Sequence, residues 1–352
     1  MDAELQILAE RLSSQLLAGP PVATVEAVAE RLLAIQGQDP RGARLAVRAR
    51  TAGLKAADVD RALSETRSLL ITWLCRGTLH LVRAEDYPWL QALTTPPLYT
   101  ANARRLAQEG VSASAAERGV EAIEHSLGEE GPLTRAQLRE RISAAGVRTE
   151  GQALVHLLIL ASLRGRIVRG PMIDTEHAFV LVGDWLGESP AVPRERALAE
   201  LARRYLAGHG PAEDRDLAKW AGLPLRDARA GLEAIASELV QRPDGLVDLG
   251  TRSSGADLPP PRLLGAYDPV LLGWCSRDTI VREHKNIVTV NGLFRPFALV
   301  RGRAGALWSM RDGSVAIDPF EPLAAADSAT LEDDARDVER FLRGPKSGRG
   351  AR

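Results

Sequence analysis

At 352 residues with 45% apolar side chains, the chain is expected to fold as a soluble globular protein of two to three domains. Two cysteines, Cys75 and Cys275, lie far apart and outside any CxxC or Cys/His spacing, which argues against a disulfide framework or a zinc site. The formal net charge of -1 at first speaks against a nucleic-acid partner, because affinity for DNA rests largely on phosphate neutralisation.

The N-terminus, MDAELQILAERL, carries acids within an amphipathic helical pattern and lacks the zones of a signal peptide. The longest apolar run, Leu154 to Leu163, is too short to span a bilayer and contains His156. A cytoplasmic protein without a membrane partner is expected.

The first segment, residues 1–110, begins with a helix to Leu17 that breaks at Gly19-Pro20-Pro21. Thr24 then caps a helix whose apolar face is Val25, Val28, Leu32 and Ile35. It should stop near Gly37, in a left-handed conformation, while Pro40 pushes Asp39 out of helical dihedrals. Gln36 and Gln38 flank that glycine. In a regular helix, residues two apart point in nearly opposite directions, whereas in extended chain they share a face. The two amides can therefore converge on one ligand only where the helix has unwound; otherwise they form a solvated polar helix end. A basic stretch, Arg41 to Arg50, leads to a helical pattern from Lys55 to Glu65 and to LLITWLCRGTLHLV, two strands turning at Arg76-Gly77. Helices followed by a hairpin are the order of a winged-helix module. A helical stretch from Ala84 to Gly110, broken at Pro88 and Pro96-Pro97, closes the segment.

The second segment, residues 111–187, repeats the plan: a helix over 114–127, Gly131-Pro132, a helix capped by Thr134, a helix over 150–164, and a hairpin from RIVRGP and HAFVLVGDW. The third, residues 188–256, has a helix over 194–207, Gly210-Pro211, a helix-turn-helix with Gly222 at its turn, and a hairpin at Asp244-Gly245. The two Gly-Pro pairs precede matching patterns, which indicates an internal repeat. Residues 257–342, after the linker Leu258 to Pro261, alternate like β-structure with turns at Asn291-Gly292, Arg303–Gly305 and Asp312-Gly313. Residues 343–352 read as a flexible tail. The expected fold is α+β, mainly α: three tandem winged-helix motifs, then a small antiparallel β-barrel-like domain.

The distribution of charge reopens the case for DNA. Arg41 to Arg83 holds nine basic residues against three acids, Phe294 to Arg311 holds Arg295, Arg301, Arg303 and Arg311 with none, and acids gather in Asp327 to Glu339. A neutral chain can carry a basic face in this way. Walker, GxGxxG, HExxH and GxSxG motifs are missing, so neither nucleotide nor metal cofactor is expected.

Four stretches carry a likeness: LLAIQGQDPRGARLAVRAR (Leu32 to Arg50), WLCRGTLHLV (Trp73 to Val82), LLGAYDPVLLGWCSRD (Leu263 to Asp278) and FRPFALVRGRAGALW (Phe294 to Trp308). They resemble segments of the AlkZ-like family of bacterial winged-helix DNA glycosylases, a likeness covering nearly the whole chain. That family has three tandem winged helices in a C shape with a C-terminal β-barrel. The resemblance implies hydrolysis of the N-glycosidic bond of alkylated purines, chiefly bulky N7-guanine adducts. In some members it implies unhooking of interstrand crosslinks or self-resistance to a DNA-alkylating antibiotic. It also implies that Gln36 and Gln38 are the catalytic Gln-x-Gln pair, with Gly37 where a larger aliphatic residue is usual. Asp39 is the nearest carboxylate, either assisting or making a turn. Arg41, Arg44, Arg48, Arg76, Thr78, His80, Arg301 and Arg303 are the expected DNA contacts, and the partner is duplex DNA with alkylated bases, met by a monomer. The alternative is a non-enzymatic winged-helix regulator or damage-binding protein.

Overall fold

Three times along the chain a helix is followed by one strand-like step, two more helices and a β-hairpin. The computed structural model describes residues 3–173, 176–188, 190–250 and 256–343, so the expected tail, 343–352, lies outside the described residues except for Arg343. About half of the chain is helical and the rest is a mixture of strands and loops.

Helix α1 (Ala3–Ser14) leads into the first unit: α2 (Val25–Leu32), β1 (Ile35–Gln36), α3 (Pro40–Arg48), α4 (Ala56–Ser64) and the hairpin β2 (Leu69–Leu74) and β3 (Thr78–Arg83). The Thr24 hydroxyl accepts from the Ala27 amide at the start of α2, as the sequence indicates. The basic stretch after Pro40 is itself a helix: Asp39 caps it by accepting from the Arg41 amide at 3.0 Å, and Pro40 fills the first position, where no amide hydrogen is needed. Two connecting helices, α5 (Tyr87–Thr94) and α6 (Tyr99–Gln108), follow. Pro88 does not break α5, because it too sits in a first helical turn.

The second unit comprises α7 (Ala113–Glu130), α8 (Arg135–Ala144), α9 (Ala153–Leu163), β4 (Ile167–Ile173) and β5 (Glu176–Leu181), trailed by the single turn α10 (Val182–Leu186). The third comprises α11 (Arg194–His209), α12 (Asp214–Ala221), α13 (Leu225–Ala234), β6 (Leu239–Gln241) and β7 (Val247–Leu249). The Gly-Pro pairs have a common use. One residue after each, Leu133 and Ala212 bridge to the second strand of their own hairpin, at Phe179 and Val247. In the first unit that position belongs to β1, whose Ile35 and Gln36 pair with Leu81 and His80.

The hairpins of the first two units are not separate wings. They join into one antiparallel sheet, β1-β3-β2-β4-β5, through the pair Ile71↔Arg169. Every residue of β2 is buried, and such a strand needs cover on its outer edge as well as on both faces. One face of this sheet (Ile35, Ile71, Trp73, Leu79, Leu81) packs with α4 and the second unit; the other (Leu70, Leu74, Val82) packs with Tyr205 and Trp220 of the third.

The C-terminal part comprises β8 (Arg262–Leu264), the one-turn α14 (Asp278–Val281), β9 (Phe297–Val300), β10 (Arg303–Arg311), β11 (Ser314–Pro319) and α15 (Ala325–Leu342). Its strands form an open four-stranded sheet in the order β11-β10-β9-β8, so among the described residues no barrel closes. Helix α15 packs across β8 and β11 instead. The turn expected at Arg303–Gly305 lies at Arg301–Gly302, both at positive φ, and Gly305 marks a bulge within β10. Among the described residues no helix is long and apolar enough to cross a membrane.

Candidate active site

Helix α2 ends at Leu33, which adopts φ 61° while its amide still bonds to Ala29 O. The chain then runs extended along β3, and Gly37 prolongs the ladder by donating to Leu79 O at 2.6 Å. The expected left-handed turn at Gly37 is therefore absent. Pairing with β3 captures residues 35–37, so the helix must stop before them, at a leucine.

This early stop puts both amides in non-helical chain. Side chains alternate across a strand, so Gln36 shares the face that also carries Thr72, Thr78 and His80, and Gln38 lies two residues on, just past the last paired residue. Gln36 is buried and accepts at Oε1 from Arg76 Nη2 (3.2 Å); Gln38 is exposed and accepts at Oε1 from the Leu79 amide (3.3 Å). Guanidinium and amide nitrogens only donate, which fixes the oxygen end of each carboxamide. Each NH2 group is left pointing elsewhere, and each oxygen keeps a second lone pair.

Beside them, His80 is fully enclosed. Its Nδ1 lies 2.9 Å from Thr78 O, and because a carbonyl only accepts, Nδ1 carries the hydrogen. Burial, then the charge of Arg76, pushes its pKa down to about 3, so the ring is neutral near pH 7. Its Nε2 then faces the Thr78 hydroxyl at 3.5 Å. His80 is thus a structural donor in this fold and does not face outward. Across the strands the buried Thr72 hydroxyl has no hydrogen-bond partner among the described residues.

The expected DNA contacts divide sharply. Arg41 is exposed, next to the cap of α3, and makes no ion pair among the described residues. Arg44 and Arg48 do not line a cradle: Arg44 bonds Asp60 and Pro40 O, and Arg48 bonds Asp334, Asp337 and Leu263 O. Arg76 points inward to Trp220 O and Gln36, and Thr78 is half-buried beside His80. Arg301, exposed but paired with Asp327 at 3.1 Å, and Arg303 sit at the β9–β10 turn of the C-terminal sheet, whose Gly302 packs on Leu8 and Leu12 of α1. The structure brings Gln36, Gln38, Arg76, Thr78 and His80 together and leaves this second pair elsewhere.

Sequence reasoning missed the acids that consume the basic stretch. The acidic run Asp327 to Glu339 supplies the partners of Arg48, and Asp268 pairs with Arg50. Asp39 is spent as a helix cap. Among the described residues no group of three or more His, Cys, Asp or Glu side chains is arranged to hold a metal ion.

A family model described as DNA glycosylase AlkZ-like matches residues 29–341, which include both glutamines. A curated relative from Streptomyces sahachiroi, named interstrand DNA cross-link repair glycosylase, is 26% identical over 359 residues, covering 95% of each chain. The solved structure of Streptomyces sahachiroi DNA glycosylase AlkZ superposes with a TM-score of 0.77 at 22% identity, over 97% of this chain and 96% of that one, which shows a shared fold.

Proposed function

The chain belongs to the AlkZ-like DNA glycosylase family, and from that premise we propose that it hydrolyses the N-glycosidic bond of alkylated purines in duplex DNA, with Gln36 and Gln38 as the catalytic pair. Its substrates are N7-alkylguanines and bulky adducts, and it unhooks interstrand crosslinks, the repair for which the curated relative is named. The three recurring units act as winged helices, bounded as residues 1–110, 111–187 and 188–256, ahead of a β-domain at 257–342, and the protein works as a monomer.

The observation that carries this reading is that Gln36 and Gln38 flank Gly37 in non-helical chain at the end of the pairing with β3, each oxygen fixed by a separate donor. The chemistry asks for little more. Alkylation at N7 places positive charge on guanine and makes it a good leaving group, so no strong general acid is required. What remains is to hold a water against the sugar while oxocarbenium character develops. A neutral amide is a poor base, so positioning dominates over proton abstraction. The free lone pair of each oxygen accepts one hydrogen of that water, which leaves the lone pairs of the water free to face the sugar. Without an amine nucleophile at the sugar the reaction stops at an abasic site, as a monofunctional glycosylase does.

Gly37 does not loosen the pair. Its amide is tied to Leu79 O, and an added Cβ would meet Ile71, Leu79 and Leu81 at 3.7 Å, ordinary contact distance.

The test incubates the protein with duplexes carrying N7-methylguanine or an N7-linked crosslink, then assays free base and, on a denaturing gel, strand separation. Base release with intact strands is expected. Tight binding to undamaged sequence without any release would instead favour a regulator.

A further inference from the structure

We infer that Arg76 is a positioning residue that ties the Gln36 carboxamide to the C-terminal end of α12, so that the third unit sets the orientation of an amide acting in the first. The inference rests on the reading of Gln36 as a catalytic group.

Arg76 lies at the β2–β3 turn, where a free wing tip would offer its guanidinium to a phosphate. Here Nη1 donates to Trp220 O and Nη2 to Gln36 Oε1. Among the described residues no carboxylate pairs with it, and burial lowers its pKa. A cation held without an acid needs another source of negative potential. Trp220 supplies one, because its carbonyl is among the last of α12, where carbonyls lack helical partners and the helix dipole favours a cation. The guanidinium therefore bridges two neutral acceptors. One is fixed in the backbone of the third unit and the other is the carboxamide of Gln36.

The backbone of the same turn is also committed. Gly222 ends α12 in the left-handed region (φ 69°), and a Cβ there would stand 3.0 Å from Arg76 N and 3.2 Å from Cys75 C. The α12–α13 turn thus lies tight against the backbone of the hairpin turn, at a left-handed position that favours glycine. Both terminal nitrogens of Arg76 are thus engaged on Trp220 and Gln36. A bridge by way of Arg76 also accounts for the amide's direction: with its oxygen held on the guanidinium, the Gln36 NH2 group is turned away from the third unit's helix end.

A double-mutant cycle tests this. Single-turnover base release from an N7-methylguanine duplex, and DNA affinity by fluorescence anisotropy, are measured for the wild type, Arg76→Met, Gln36→Ala and the double variant. Arg76→Met is expected to slow release by roughly 10- to 100-fold while the Kd for DNA stays within about 3-fold. In the Gln36→Ala background the same change is expected to cost almost nothing. Arg76→Lys, which keeps the charge but reaches only one acceptor, is expected to restore part of the rate. Should Arg76→Met fail to fold, Gly222→Ala moves the α12 end against the hairpin without altering a first-unit side chain, and its effect should likewise vanish without Gln36. Additive losses, or a weakened Kd with a shallower salt dependence, would overturn the inference alone. Absence of release from the wild type would overturn the reading of the function on which it rests.

Discussion

Arg50 and Asp268, 218 positions apart, form a two-pronged ion pair in which neither side chain is exposed: Nη1 to Oδ2 and Nη2 to Oδ1, both 2.9 Å. Arg50 follows α3, the helix that starts two residues after Gln38, and Asp268 lies in the loop after β8, so the pair fixes the C-terminal part against the unit that carries the candidate site. Nearby, a Cβ on Gly42 would lie 2.3 Å from Ala266 O, so helix and loop meet backbone to backbone.

Removing one partner of a buried pair leaves an uncompensated charge, at a cost of about 3–5 kcal/mol. Asp268→Ala is expected to lower the stability measured by urea unfolding by that much, whereas the double change Arg50→Met with Asp268→Leu should recover most of it. A loss below about 1 kcal/mol in Asp268→Ala would mean that the pair holds nothing together.

Glycines 37 and 42 should respond in opposite ways. Gly37→Ala meets only ordinary contacts and is expected to stay within about 1 kcal/mol of the wild type, with base release within a few-fold. Gly42→Ala collides with a carbonyl and should cost several kcal/mol. Equal tolerance at both positions, in thermal melts, would contradict the approach of α3 to Ala266.

Two buried histidines make stability depend on pH. Burial, the largest cause in each case, lowers both His80 and His209 to about 3, against an ordinary value of 6.5. Between those values the unfolded chain binds protons that the native state refuses, so stability is fully present above about pH 6.5 and falls as pH drops toward 3. Each histidine contributes a slope of at most about 1.4 kcal/mol per pH unit in that window. Unfolding midpoints from pH 7.5 to 5 should therefore fall less steeply for His80→Gln than for the wild type. Because His80 is neutral throughout, the pH profile of base release should show no inflection near 6.5 from it.

Arg41, three residues past Gln38, is exposed and makes no ion pair among the described residues, and its removal tests how the protein meets DNA. Arg41→Ala is expected to weaken duplex binding uniformly across sequences and to reduce the log–log salt slope by about 1. Arg44→Ala, already bonded to Asp60, should instead lower stability and leave the slope unchanged. The same slope change in both would contradict the division between free and committed arginines.

Local signals in this sequence read well because they act over a few residues. Thr24 and Thr134 both cap as expected, Arg76-Gly77, Asp244-Gly245 and Asp312-Gly313 all turn, and the Gly-Pro repeat marks equivalent bridges. The non-helical setting of Gln36 and Gln38 follows from asking where the helix unwinds, although the stop falls on Leu33, for which φ 61° carries no sequence signature. Long-range choices are not legible. Arg48 and Arg50 look free because their acids, Asp334 and Asp337 for the one and Asp268 for the other, stand more than 200 residues away. Likewise nothing local to LLITWL announces that its edge will recruit β4, or that the turn after it will be pressed by Gly222.

The most direct test of the catalytic role of the glutamine pair is single-turnover release of free base from a duplex bearing one bulky N7-guanine adduct, wild type against Gln38→Ala, at matched DNA occupancy. A loss of about 100-fold or more, with folding and DNA affinity retained, is the expected result for an amide that positions the attacking water. Release by Gln38→Ala at the wild-type rate would contradict it.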